Sequence, residues 1–191
     1  MSIVDSIKAR RSYYDINKNT DIDKQELVDL ISELVLYTPD SYNGQSQRLI
    51  IAFDKEHDAL WDSMYEAFGG KVSREKMNGF KAGIGTVLFY YDTEVVKGLQ
   101  DQNPSYADKF EIFAEQANGM LQFNVWTALR EKNLGASLQH YNPVVDEPIR
   151  KLFNVPESWK LVAQMPFGAI GSEPPAKEKK PVSERVIVKG L

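Results

Sequence analysis

The sequence contains no cysteine and only two histidines among its 191 residues. The lack of cysteine excludes disulfides, thiolate nucleophiles and cysteine-ligated metals. With only His57 and His140 available, we do not expect a site built from several histidine ligands. We predict that His57, in the polar start of a helix, lies on the surface. His140 is expected to be a packed or hydrogen-bonded side chain and not a catalytic base.

Several segment types and motifs are also missing. No stretch approaches the roughly 20 apolar residues of a membrane span, and the N-terminus lacks the basic start and apolar run of a signal peptide. We therefore expect a cytoplasmic protein that does not engage membranes. The sequence has no phosphate loop, no dinucleotide fingerprint placed after a strand and no G-x-S-x-G elbow. If the chain is an enzyme, a bound cofactor is expected to carry the reaction.

Charge and composition narrow the class of protein further. The formal net charge is -4 and the pI about 5.3, which opposes non-specific binding to nucleic acid. Apolar residues make up 42% of the chain and charged residues 26%, which is ordinary for a globular protein. A chain of this length suits one domain that covers residues 1–191.

Hydrophobic periodicity separates candidate helices from candidate strands. It predicts helices over 2–10, 23–36, 57–68, 105–132 and 148–153. It predicts strands over 48–53, 86–91, 136–141 and 159–170, and residues 185–189 could add an edge strand to a neighbour. Because these elements do not alternate strictly, an α+β fold with a mixed or antiparallel sheet flanked by helices fits better than a doubly wound one.

The predicted helix over 105–132 is apolar on more than one face. Phe113, Ala117 and Leu121 follow one face, whereas Phe123 and Trp126 add apolar surface elsewhere. Such a helix must be covered on more than one side. It is therefore the central helix of its own domain, or it is partly buried by a partner subunit, and the two interpretations are compatible.

Two basic clusters are candidate phosphate contacts. Arg10, Arg11 and Ser12 offer two guanidinium groups and a hydroxyl within three residues. The alternative is that the arginines are solvent-exposed charges at the end of a helix. A basic run that includes Lys177 and Lys179 precedes Pro181 in an otherwise acidic protein. It could complete a phosphate site from the far end of the chain, or it could be a solvated tail.

Two further clusters suit a flat polar ring. The amides of Asn43 and Gln45 can both donate and accept hydrogen bonds, as a ring with carbonyl and N–H groups requires, and a flavin is such a ligand. The alternative is a polar turn held by its own side-chain bonds. The segment 135–140 begins with small residues that allow close backbone approach to a flat ligand. Its alternative is a helix cap followed by a core strand.

The order of these clusters along the chain resembles that of the FMN-dependent nitroreductase family. Members carry an Arg-Arg-Ser-type motif after a short helix, a Pro-Ser-x-x-Asn-x-Gln-type loop, a long central helix, a glycine-containing strand entry and a basic motif before a proline. All five features occur here in sequence and cover essentially the whole chain. The segment from Asn43 to Arg48 is most similar to the small subgroup related to the fungal fatty-acid-repression-mutant protein.

The resemblance implies a homodimer with the long helix at its interface and two FMN sites there, each built from both chains. Arg10, Arg11 and Ser12 would contact the phosphate and the pyrimidine side of the ring. Lys179 would supply the last phosphate charge, with Lys177 as second choice. Asn43 and Gln45 would contact the ring or ribityl chain from the partner. The backbone groups of three consecutive residues would line the ring: Ser137, Leu138 and Gln139.

The sequence also departs from the family pattern. Asp40 stands where the loop usually has serine, and a carboxylate near a phosphate is unfavourable unless it points away. Ser46 replaces the frequent proline after the glutamine. A positive group is expected to stabilise the reduced flavin near N1, and Arg48 and Lys76 are candidates.

The activity that the resemblance implies is a two-step, ping-pong oxidoreductase reaction. NADH or NADPH passes hydride to flavin N5 and leaves, and a small acceptor such as a nitroaromatic or a quinone then takes its place. No side-chain nucleophile is required. The alternatives are a flavin enoate reductase that acts on unsaturated fatty-acid derivatives, a non-catalytic flavin-binding regulatory protein, and an interaction module that binds no flavin.

Overall fold

One antiparallel sheet organises the fold. The structure, a computed structural model, describes residues 2–191. Its strands are β1 (Ile16–Asn17), β2 (Gln47–Phe53), β3 (Gly85–Asp92), β4 (Leu134–Ala136) and β5 (Trp159–Ile170). They are arranged in the order β1-β5-β3-β2, and β4 also pairs with β5. All of these pairings are antiparallel, which confirms the predicted α+β class.

Helices cover both faces of this sheet. They are α1 (Ile3–Ala9), α2 (Lys24–Tyr37), α3 (Asp54–Ala67), α4 (Arg74–Lys81), α5 (Thr93–Gln102), α6 (Phe110–Glu131) and α7 (Asp146–Phe153). Helices α4 and α5 were not predicted, although both begin with a capping residue. The Ser73 hydroxyl accepts from the Lys76 N–H, and the Asp92 carboxylate accepts from the Glu94 N–H. Among residues 2–191, no helix combines the length and the apolar character needed to cross a bilayer.

Strand β3 shows how the two faces are divided. Successive side chains of a strand point to opposite faces of the sheet. Val87 and Phe89 accordingly pack with residues of α2 and α6, whereas Leu88 and Tyr90 pack with residues of α3, α4 and α7. Since β3 is buried on both faces, its sequence from Val87 to Tyr91 is a continuous apolar run.

The long helix begins later than predicted. Residues Pro104–Lys109 form a 3-10 helix, and α6 extends from Phe110 to Glu131. One face of α6 packs on the sheet through Leu121, Val125 and Leu129. On other faces Met120 remains 45% exposed and Phe123 37% exposed. The chain therefore covers only part of the apolar surface of this helix.

The predicted strands over 136–141 and 185–189 are not formed within the described chain. The predicted strand over 136–141 is wrong, because β4 ends at Ala136. Beyond it, the Ser137 N–H donates to the Pro166 carbonyl oxygen of β5, and Gln139 exchanges backbone hydrogen bonds with Gln164. The Tyr141 N–H donates to the Gln164 side chain instead. Residues 185–189 form no helix or strand and are exposed. Their pairing with a neighbour stays a prediction.

Both histidines differ from the prediction in their burial. Helix α3 begins at Asp54, earlier than expected, and this start turns His57 towards the sheet, where it is fully buried. Its Nδ1 lies 2.9 Å from the Thr86 hydroxyl and its Nε2 lies 3.3 Å from the Lys81 carbonyl oxygen. His140 is exposed, because its neighbour Gln139 takes the buried position.

Candidate functional site

The two basic clusters meet at one cavity of about 500 Å³, here called the cation cavity. Its lining comes from both ends of the chain and consists of Ile7, Lys8, Arg10, Arg11, Ser12, Lys177 and Lys179. Every predicted phosphate contact is in this set. Lys8 was not predicted, although its position three residues before Arg11 at the end of α1 is a signal for the same cluster.

Local pairing explains why the chain ends meet. Ser12 forms a β-bridge with Ala136, and the Tyr13 N–H donates to the Ala136 carbonyl oxygen at 2.9 Å. The Arg11 Nη2 donates to the Pro175 carbonyl oxygen at 2.6 Å, and the Tyr13 hydroxyl donates to the Glu173 carboxylate at 3.0 Å. These bonds guide the C-terminal segment past the arginine pair.

The cation cavity has an uncompensated positive charge. Within residues 2–191, none of its five cationic side chains takes part in an ion pair. The Arg10 guanidinium lies over the Trp126 ring at 4.3 Å, and its buried Nε lacks a hydrogen-bond partner. Burial and the neighbouring Arg11 lower the pKa of Arg10. An anionic ligand would offset the cost of burying Arg10 and its repulsion by Arg11, because guanidinium groups donate paired, charge-assisted hydrogen bonds to phosphate.

Asn43 and Gln45 line a different cavity of about 440 Å³, here called the amide cavity. Its remaining lining residues are Ser32, Val35, Leu36, Thr38, Asp40, Gln47 and Arg48. The two cavities share no lining residue. Within one chain, the structure therefore does not bring Asn43 and Gln45 to the predicted phosphate contacts.

The two departures from the family pattern contact each other. The Asp40 carboxylate accepts hydrogen bonds from the backbone N–H and the hydroxyl of Ser46. A proline at position 46 would have no N–H for this contact. Asp40 is thus turned into its own loop, as a carboxylate near a phosphate site would need to be.

The segment Ser137, Leu138 and Gln139 follows directly on the bridge between Ala136 and Ser12. The Ser137 N–H donates to the Pro166 carbonyl oxygen at 3.3 Å, and the Gln139 N–H donates to the Gln164 carbonyl oxygen at 2.7 Å. Successive residues of an extended chain point their amides in opposite directions. Of the three predicted backbone contacts, the Leu138 N–H is therefore the donor that points away from β5.

The two candidates for a positive group near a ligand ring lie far apart. Arg48 lines the amide cavity, donates to the Gln45 carbonyl oxygen at 2.7 Å and pairs with Asp92 at 3.1 Å. Lys76 belongs to α4, on the other face of the sheet, and its ammonium lies 5.6 Å from the Tyr141 ring. The structure brings only Arg48 to Asn43 and Gln45. The part of the chain that the structure describes contains no cluster of three or more His, Asp or Glu residues suited to a metal ion.

Comparison with known proteins confirms the suspected resemblance. A protein-family sequence model described as "Nitroreductase family" matches residues 7–169 of the chain. The nitroreductase FRM2 of Saccharomyces cerevisiae is 30% identical over 141 residues, which cover 73% of this chain and 72% of FRM2. The Lactococcus lactis nitroreductase CinD, solved in complex with chloramphenicol, is 40% identical, with a TM-score of 0.94 over 99% of this chain and 100% of CinD.

More distant proteins share the fold. A Desulfovibrio desulfuricans protein crystallised in complex with FMN is 18% identical, with a TM-score of 0.71 over 100% of this chain and 98% of that protein. The family-model match over residues 7–169 includes the Arg10–Ser12 cluster, the Asn43 loop and all five strands except the last residue of β5. On the family match and the similarity to CinD and FRM2, the chain belongs to the nitroreductase family.

Proposed function

We propose that the protein binds FMN in sites shared by two copies of the chain and uses NADH or NADPH to reduce small electron-poor acceptors. Membership of the nitroreductase family supports an oxidoreductase. CinD has been solved with chloramphenicol and with 4-nitrophenol, and both compounds are nitroaromatics. A protein of the same fold has been crystallised with FMN. These relatives favour nitroaromatics and similar acceptors over the alternatives.

The observation that carries the proposal is the cation cavity. Arg10, Arg11 and Ser12 at one end of the chain meet Lys177 and Lys179 from the other end. The partnerless Arg10 Nε and the lack of ion pairs show that this charge has no compensation within the described chain. A phosphate group fits this donor set, because it accepts several charge-assisted hydrogen bonds at once. We assign these residues to the FMN phosphate and the adjoining part of the ligand.

The amide cavity fits the ring end of the same ligand. Asn43 and Gln45 offer amide donors and acceptors within it, and the Leu138 N–H, which lies outside this cavity, offers a backbone donor to the same ring. Arg48 provides a positive charge on the Asn43 side, where it would stabilise negative charge on a reduced ring. Bound FMN would supply the redox chemistry, in which hydride arrives from the nicotinamide and electrons leave to the acceptor. The residues of the chain would bind and orient the FMN and stabilise the charge on its reduced ring.

A dimer would bring the two cavities together. Within one chain the two cavities share no lining residue, so each copy presents the two sets of residues separately. Large apolar side chains of α1, α2 and α6 are exposed, namely Ile3, Val4, Leu36, Tyr37, Met120 and Phe123. Exposed apolar surface of this kind is characteristic of an interface. We therefore propose that one copy supplies the cation cavity and its partner supplies the Asn43 loop.

The first test is an anaerobic absorbance spectrum of the purified protein supplied with FMN. NADH and NADPH are added in turn, followed by a nitroaromatic or a 2-enone in separate samples. Bleaching of the flavin bands and their return with 4-nitrophenol would support the proposal. Return only with the 2-enone would favour an enoate reductase. Bands that persist after both nucleotides would favour a regulatory flavoprotein, and a protein that binds no FMN would overturn the proposal.

A further inference from the structure

The loop that carries Asn43 and Gln45 has an unusual backbone. Tyr42, Asn43 and Gln45 have φ values of 57°, 51° and 52°. Residues with a Cβ disfavour this left-handed region, and an aromatic residue is especially uncommon there. Three such residues within four positions will not persist unless the surrounding structure fixes them. The contacts that fix the loop therefore decide where the two amides lie.

Asp40 fixes both ends of this loop with one carboxylate. Its Oδ1 accepts from the Ser41 N–H at 2.8 Å. Its Oδ2 accepts from the Ser46 N–H at 2.7 Å and from the Ser46 hydroxyl at 2.7 Å. Hydrogen bonds to an ionised acceptor are roughly twice as strong as neutral ones. The carboxylate thus closes the chain around Tyr42, Asn43 and Gln45.

A buried polar network anchors Ser46 to the long helix. Ser46 is 1% exposed, and its hydroxyl oxygen accepts from the Gln47 Nε2 at 3.1 Å. The Gln47 Oε1 in turn accepts from the Asn118 Nδ2 at 2.6 Å, and Asn118 belongs to α6 and is fully buried. The loop is consequently tied to a rigid element and not only to itself.

We propose that Asp40 is a positioning residue for the ring end of the ligand, with Ser46 as its partner. The proposal rests on the FMN function proposed above. Asp40 does not need to contact the flavin, because its effect passes through the loop conformation that presents Asn43 and Gln45. Its removal should therefore weaken contacts to the flavin ring and leave the distant phosphate contacts of the cation cavity in place.

The test compares Asp40→Asn, Ser46→Ala and the double variant with Glu33→Gln. Glu33 is an exposed carboxylate on the neighbouring α2 and does not line the amide cavity, so this control matches the loss of charge. Riboflavin is the principal probe, because it carries the flavin ring without the phosphate. Affinity is measured by quenching of flavin fluorescence, and hydrogen exchange of residues 41–46 is followed in the flavin-free protein.

We expect each single variant to speed amide exchange in the loop and to weaken riboflavin binding by about tenfold, the size of one charge-assisted hydrogen bond. Because both variants disturb the contact between the Asp40 carboxylate and the Ser46 hydroxyl, their effects on riboflavin affinity should add up to less than the sum of the two single changes in the double variant. The visible circular dichroism of the bound flavin should change in all three. Glu33→Gln should match the wild type in every measurement.

The outcomes separate this inference from the proposed function. If wild-type protein binds riboflavin and the variants bind it equally well with an unchanged dichroism spectrum, the role of Asp40 is overturned while FMN binding stands. If the variants lose stability but keep riboflavin affinity, Asp40 is a structural residue only, and the inference is again overturned. Wild-type protein that binds neither riboflavin nor FMN would overturn the proposed function and this role together.

Discussion

Arg11 illustrates how much a single residue contributes to the cation cavity. Its guanidinium lines the cavity and also donates to the Pro175 carbonyl oxygen, on the segment that leads to Lys177 and Lys179. We expect Arg11→Ala to weaken FMN binding by about 1.5–3 kcal/mol, the range for a hydrogen bond to a charged group. Fluorescence titration with FMN measures the change. Lys151→Ala, which removes an exposed charge on α7, is the control. Unchanged FMN affinity in Arg11→Ala would remove this residue from the site.

His57 gives the protein a predictable response to acid. The Lys81 carbonyl oxygen can only accept, so the His57 Nε2 carries the proton and Nδ1 accepts from the Thr86 hydroxyl. That hydroxyl oxygen accepts in turn from the Trp61 Nε1 at 2.9 Å. Burial lowers the pKa of His57 to about 4, compared with about 6.5 for an unfolded chain. The network therefore holds histidine in its neutral form.

The free energy of unfolding should consequently fall as the pH falls from about 6.5 to about 4, because only the unfolded chain binds a proton in that range. Between about pH 7 and pH 5 the loss attributable to His57 should be about 2 kcal/mol. Urea unfolding of the flavin-free protein at both pH values measures it. His57→Asn should reduce the slope, whereas His140→Gln, at an exposed position, should retain it. Equal slopes in wild type and His57→Asn would contradict the prediction.

Among the elements, α6 joins the core of the chain to its exposed apolar surface. Leu121 and Val125 pack towards the sheet, and Met120 points outwards with 45% exposure. We expect Met120→Lys to weaken the dimer more than tenfold, because it places a charge in the proposed interface. Stability of the isolated chain should change by less than about 0.5 kcal/mol, as is usual at exposed positions.

Light scattering over a dilution series measures this effect. Leu152→Lys is the matched control, because Leu152 is 37% exposed on α7, which packs on the opposite face of the sheet. The control should remain dimeric at the concentrations where Met120→Lys dissociates. Since the proposed FMN site needs both copies, Met120→Lys should also lose FMN on dilution. A Met120→Lys protein as dimeric as the control would place the interface elsewhere.

At the scale of the whole molecule, a protein of net charge -4 carries a cluster of five cations at one cavity. FMN bears a phosphate and riboflavin does not, so only FMN binding should depend on this cluster. Raising the salt from about 0.1 M to about 1 M shortens the Debye length from about 10 Å to about 3 Å. We expect FMN binding to weaken several-fold over this range and riboflavin binding to change little. Equal salt dependence for the two ligands would contradict phosphate recognition at the cavity.

The sequence by itself determined the class of fold and most of its elements. Strand β5 was predicted with its observed bounds, because a stretch of twelve mostly apolar residues between turn signals is typical of a buried strand. Helices α1 and α2 followed from their apolar periodicity. The family was readable because its motifs have a fixed order. The two arginines, the adjacent Ser12 hydroxyl and the basic run with Lys177 and Lys179 stood out as polar clusters, and the resemblance assigned them to one phosphate.

Tertiary structure decided the remaining features, for identifiable physical reasons. The resemblance implied that the two chain ends meet at one phosphate site, but sequence spacing does not record the contact from Arg11 to Pro175 that holds them together. The burial of His57 depends on a helix start three residues earlier, and β4 ends opposite Pro166 of β5, which has no N–H to donate to the ladder. Asp40 and Ser46, which contact each other in the structure, were visible in the sequence only as two separate departures from the family pattern. A carboxylate finds its donors in three dimensions, and only the folded loop brought them within 2.7 Å.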